Sequence, residues 1–182
     1  MSQEIPMRTA WLVAVLLASG CDGSAPPSPR PGKGGTLMAA LTNTSASNVD
    51  DNAYLGVSEG GAESVGGDYL EIDTSMAVSN DLTQGISVRI NESSFNRYYW
   101  MPAVGPIALG KTSAVTLHYT ETYVSDSGAY FRYWTASGGV LNITALSKAM
   151  VSFTIQDAVM MPDSSAAKGS FTLNGTGTNL VF

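Results

Sequence analysis

Two strings in the chain carry the spacing of a catalytic motif. Gly105-Pro-Ile-Ala-Leu-Gly-Lys-Thr112 matches the phosphate-loop pattern G-x-x-x-x-G-K-T. In that motif, backbone amides and a lysine cradle phosphates between a buried parallel strand and a helix. Gly56-Val-Ser-Glu-Gly60 matches G-x-S-x-G, the elbow that stands a nucleophilic serine on a strand–turn–helix. Asp68, Asp73 and Asp81 and then His118 follow it, which is the hydrolase order of acid and base. Neither string has the neighbours its chemistry needs. Tyr98-Tyr-Trp-Met-Pro102 precedes the first and an alternating run, Ser113-Ala-Val-Thr-Leu-His-Tyr119, follows it, so neither the buried strand nor the helix is present. The glycines between Gly60 and Gly67 cannot form the helix of the second. We therefore expect a strand-entry turn at Lys111, a glycine-rich loop at Ser58, no bound nucleotide and no enzyme activity.

Metal and acid–base chemistry are poorly supplied. The 182 residues hold one Cys and one His, which excludes a multi-cysteine or multi-histidine cluster. Asp68, Glu71 and Asp73 suggest calcium, but alternation puts Asp68 on the face opposite Glu71 and Asp73, without EF-hand spacing. A solvated strand face is expected there, with no metal and no cofactor. His118 lies among threonines on an outward face. Nine basic against 15 acidic residues give a net charge of −6, the wrong sign for a partner held by phosphate contacts, so no nucleic acid is expected. The remaining candidate is aromatic. Phe131 and Tyr133, with Tyr98, Tyr99 and Trp100 on the preceding loop, form a patch beside Thr120, Thr122 and Asn142. Rings flanked by short polar side chains suit a sugar face or a protein partner; burial under a second sheet or a loop is the plainer alternative.

The amino terminus reads as an address. Arg8 precedes an apolar run from Ala10 to Ala18, too short to cross a bilayer and suited to a signal-peptide core. Glu4 is unusual ahead of such a core, which makes Met7 a second candidate start. The run ends in Leu17-Ala-Ser-Gly-Cys21, which resembles a bacterial lipobox, with Ala18 in the slot where leucine is favoured. The resemblance implies cleavage after residue 20 and acylation of Cys21. Acyl chains would then hold the protein to a membrane without a spanning segment. Asp22, next in line, is associated with inner-membrane retention in enteric bacteria; which membrane and leaflet stay open. Residues 21–35 are rich in Pro, Gly and Ser and read as a tether.

Residues 36–182 read as one antiparallel β domain. Leu70, Ile72, Met76 and Val78 alternate with Tyr69, Glu71, Asp73 and Ser75; after a turn at Asn80-Asp81, Ile86, Val88 and Ile90 alternate with Ser87, Arg89 and Asn91. Val151, Phe153 and Ile155 repeat the pattern, as do Phe171 and Leu173. One-sided burial of this kind belongs to antiparallel sheets, and about eight or nine strands in a sandwich or barrel are expected. Val115–Val124 and Ala129–Thr135 read as a hairpin closed by Ser125–Gly128. Its register places Tyr123 opposite Tyr130, Glu121 opposite Arg132 and Tyr119 opposite Trp134. Gly138-Gly139 reads as a second tight turn, which would set Trp134 opposite Ile143 and Ala136 opposite Leu141. Leu117, Tyr119, Trp134, Leu141 and Ile143 are the expected core. His118, Thr120, Thr122, Phe131, Tyr133, Asn142 and Thr144 take the other face.

The runs Gly105–Gly110, Ser137-Gly-Gly-Val-Leu-Asn-Ile-Thr144 and Gly169-Ser-Phe-Thr-Leu-Asn174, with the aromatic hairpin between the first two, resemble a domain of unknown function in small bacterial lipoproteins. Those proteins share a strand ending in Ser-Gly, a strand ending in Ile-Thr and a closing Gly-x-Phe strand. The resemblance implies a β fold and an envelope address; that family has no established activity. The expectation is a membrane-anchored envelope lipoprotein with a non-catalytic, structural or protein-binding domain. The alternative is a glycan or small-ligand binder using the aromatic patch.

Overall fold

The computed structural model describes residues 34–50, 53–63, 69–91, 104–111, 113–147 and 150–181. The strands are β1 (Thr36–Thr42), β2 (Ala53–Glu63), β3 (Tyr69–Ala77), β4 (Leu82–Asn91), β5 (Gly105–Ala108), β6 (Val115–Ser125), β7 (Gly128–Leu146), β8 (Met150–Pro162) and β9 (Phe171–Val181). One 3-10 turn, Thr44–Ala46, is the sole helical element among the described residues. Every strand pair is antiparallel, in the order β5-β7-β6-β4-β3-β2-β1-β9-β8. A further pairing of β7 with β8 joins the ends. The protein is therefore all-β, an eight-stranded closed antiparallel barrel with β5 as a ninth strand.

Closure depends on β7, the longest strand at 19 residues. Gly128–Thr135 pair with β6 and Val140–Ile143 with β5, in succession along one edge. The other edge pairs with β8 from Trp134 to Leu146. Closing a sheet removes the free edges that invite aggregation. At eight strands the lumen is just wide enough for side chains to fill.

Alternation along each strand supplies that filling. Ile72, Ile86, Val88, Ile90, Leu117, Leu141, Ile143, Phe153 and Ile155 point inward and are buried. Trp134, fully buried, sits 5.7 Å ring to ring from both Tyr119 and Phe171, and Phe171 meets Tyr119 edge-on at 5.4 Å. This triad joins β6, β7 and β9, and the Trp134 indole N–H donates to the Gly169 carbonyl at 3.1 Å. Burying three rings with their polar handle satisfied combines area and edge-to-face terms. Tyr54 folds over Gly56, where a Cβ would meet its hydroxyl oxygen at 2.2 Å, and donates to Thr74 Oγ1 at 2.7 Å.

The β6–β7 register is the expected one, with Tyr123 opposite Tyr130, Glu121 opposite Arg132 and Tyr119 opposite Trp134. The strands run further than expected, to Ser125 and Gly128, so two residues make the turn. The expected second turn at Gly138-Gly139 does not form. Those residues lie inside β7 at shifts of register against β8, and Trp134 faces Pro162 while Ile143 faces Phe153. Gly139 has φ +111°, and a Cβ there would meet Ala158 Cα at 2.6 Å. The glycines thus serve a bulge and a close strand approach. The bulge moves the alternation by one residue, from Trp134 and Ala136 to Leu141 and Ile143, so all four point inward.

Trp134→Ala should cost about 3–5 kcal/mol in urea denaturation, since the cavity cannot collapse between the Tyr119 and Phe171 rings. Gly139→Ala should cost more than about 1 kcal/mol although it adds one methyl, because the backbone is left-handed and β8 stands in the way. Near-wild-type stability of Gly139→Ala would contradict the bulge.

Candidate functional site

The catalytic look-alikes resolve into strand. The residues of the phosphate-loop string from Gly105 to Ala108 are β5, paired with β7. Lys111 lies in the turn that follows and bonds Asp163 Oδ1 at 2.7 Å. Ser58 lies within β2, beside a shift of register between Ser58 and Gly60, so the G-x-S-x-G string is neither the expected loop nor an elbow. Glu71 is bidentate to Arg89 Nη2 at 3.2 Å across the β3–β4 pair. Asp68 lies outside the described residues, as do Cys21, Tyr98, Tyr99 and Trp100.

Among the described residues, one carboxylate is wholly buried. Glu121 points into one end of the barrel with no exposed surface. Its Oε1 accepts from the Asp50 amide at 3.0 Å, the Tyr119 hydroxyl at 3.1 Å and Gln84 Nε2 at 3.4 Å. Its Oε2 accepts from the Tyr123 hydroxyl at 3.2 Å and Arg132 Nη1 at 3.3 Å. Arg132 also reaches the Asn48 carbonyl at 2.6 Å and Asp50 Oδ2 at 2.9 Å, and its guanidinium sits 4.5 Å above the Tyr123 ring, which stacks on Tyr130 at 4.6 Å. Five donors, one of them the Arg132 cation, saturate Glu121, which is what a buried charge requires. The cluster clamps the β1–β2 connection onto the β6–β7 hairpin.

The expected aromatic face is present in part. Phe131 is 59% exposed and Tyr133 half-buried, on the outer wall with Thr120 and Thr122. Tyr133 stacks on His118 at 5.1 Å, and His118 Nδ1 lies 3.1 Å from Thr135 Oγ1. Thr135 Oγ1 donates to Asp163 Oδ2 at 2.6 Å, which extends the chain of contacts to Lys111. Thr135 is buried although it points outward, being covered by this network. Burial holds the His118 pKa below its ordinary 6.5, helped by Arg89 and opposed by Glu71 and Asp163. Burial likewise raises the Tyr133 phenol, while hydrogen bonds from Lys111 and Thr135 lower Asp163.

The opposite wall is apolar and was not anticipated. Met38 and Ala40 on β1, Ala53 and Leu55 on β2 and Met76 on β3 line one side of a concavity of about 780 Å³. Thr154 and Gln156 on β8 with Asn174 and Thr176 on β9 line the other. Met38 is 61% exposed and Leu55 37%. The alternation that identifies inward residues also puts Met38 and Leu55 outward, and that was the missed signal. No protein-family profile, curated protein or solved structure matches the chain.

His118 gives the site a pH dependence with a definite sign. Unfolded, the imidazole titrates near 6.5; folded, it titrates lower. Between the two values the unfolded chain binds more protons, so stability should fall as pH drops below 6.5. The slope from this one group is at most about 1.4 kcal/mol per pH unit. His118→Phe, which keeps the stacking, should remove that part of the slope in urea titrations at pH 7 and below. An unchanged slope in the variant would contradict the burial of His118.

Proposed function

We propose that this chain is a lipid-anchored protein of the bacterial cell envelope whose barrel is a non-catalytic module that binds a protein partner on its outer wall. The observation that carries the reading is the apolar concavity centred on Met38 and Leu55. A contiguous exposed apolar patch with flexible methionines and a neutral polar rim has the composition of a protein contact surface. Two further features support it. Trp134, Tyr119, Phe153 and Phe171 fill the lumen, which leaves the outer wall for recognition. Glu121, the buried acid, is committed to five structural hydrogen bonds. The anchor would be acylated Cys21, followed by the tether that ends where β1 begins. A second reading, a glycan binder, is favoured by the exposed Phe131 ring beside Tyr133, Thr120 and Thr122.

The test uses the anchored protein with a photo-crosslinking residue at position 38. A discrete protein adduct is expected from position 38, lost with Leu55→Asp, and none from position 131. Cys21→Ser should lose palmitate labelling and move to the soluble fraction. Adducts at 131 alone would shift recognition to the opposite wall. No adduct at either position would overturn the protein-binding reading.

A further inference from the structure

The contacts of His118 fix its tautomer. A threonine hydroxyl has one hydrogen to donate. Asp163 accepts from Lys111 at 2.7 Å through Oδ1, and its Oδ2 stands 2.6 Å from Thr135 Oγ1. A carboxylate paired with an ammonium group is an acceptor only, so the Thr135 hydrogen goes to Asp163. Thr135 Oγ1 must then accept at its other contact, 3.1 Å from His118 Nδ1. Nδ1 therefore carries the ring hydrogen and Nε2 is a bare acceptor. Nε2 has no hydrogen-bond partner among the described residues. The groups around the ring are the Tyr133 ring stacked on it, Ser87 and Thr135 opposite it on β4 and β7, and the ion-paired Arg89 and Glu71.

We infer that the outer wall of β4, β6 and β7 holds a saccharide subsite in which His118 Nε2 accepts a hydrogen bond from a sugar hydroxyl, with Thr135 and Asp163 as positioning residues. The inference rests on the second reading above, that the aromatic face binds a glycan. Three features select the ligand chemistry. A neutral acceptor asks for a hydroxyl or amide donor. The nearby charges Arg89 and Glu71 cancel each other, so an ionic ligand gains little. The exposed Phe131 ring lies four residues along β7 from Thr135, about 13 Å at strand rise, with Thr120 and Thr122 across the β6 pair. That spacing matches a ligand longer than one sugar ring, stacked at one end and hydrogen-bonded at the other.

The chain has a single histidine, so its ring nitrogens can be read without ambiguity. The anchored protein, labelled with 15N-histidine in a sugar-free zwitterionic detergent, is titrated with glucose, galactose, N-acetylglucosamine, cellobiose, lactose and chitobiose. At pH 7 the Nδ1–H tautomer is expected, and Nε2 should shift with at least one disaccharide. His118→Phe should weaken that sugar about tenfold, the loss of one good hydrogen bond. Thr135→Val should mix the tautomers and weaken the same sugar, an effect that loss of packing alone would not give. An Nε2–H tautomer, or sugar binding that moves the Phe131 ring and leaves Nε2 unmoved, would overturn the role of His118 and leave the glycan reading standing. No response at either group to any of these sugars would overturn both.

Discussion

The reach of β7 is the constraint on which the barrel depends. A strand that ended at the hairpin, near Thr135, would pair only with β6 and leave β8 as an open edge. Running on to Leu146, it meets β6 and then β5 on one side and β8 on the other. That continuation requires passage through Gly138 and Gly139, where the backbone bulges and, at Gly139, β8 comes too close for a Cβ. The bulge shifts the alternation by one residue and so turns Leu141 and Ile143 inward. The same strand thereby carries Trp134 into the aromatic triad and Arg132 into the clamp around Glu121.

A filled lumen leaves the outer walls as the accessible surfaces. With Trp134, Tyr119 and Phe171 in mutual contact and Phe153 buried on β8, the two distinctive surfaces lie on opposite walls. One is apolar, across β2, β1, β9 and β8; the other is polar and aromatic, across β4, β6 and β7. Their chemistry differs enough to serve different partners. An anchor at Cys21 would enter beside the apolar wall, since Met38 follows the tether by three residues. The polar wall would then face away from that entry point.

Much of this was legible in the residues. One-sided burial makes the inward set readable at Ile86, Val88 and Ile90, and again at Val151, Phe153 and Ile155. The β6–β7 register follows from matching Glu121 to Arg132 between two aromatic pairs. Gly138-Gly139 was not legible, because two glycines suit a primed turn and a bulge equally and only pairing with β8 decides between them. β5 was hidden inside a string that imitates a phosphate loop. The contacts of Thr135 were also out of reach: Asp163 stands 28 residues downstream, and its partner Lys111 lies 52 residues before Asp163. Glu121 could be paired with Arg132 by register, but not with the Asp50 amide 71 residues upstream.

Amide hydrogen exchange tests closure most directly. If β7 and β8 seal the barrel, amides in Val140–Ile143 and Phe153–Ile155 that bond across the seam open only with the whole domain. Their exchange free energies should equal that of global unfolding and fall with urea at the same slope as those of β3 and β4. Exchange across the β7–β8 seam at a distinctly lower free energy, independent of urea while β3 and β4 stay protected, would contradict a closed barrel.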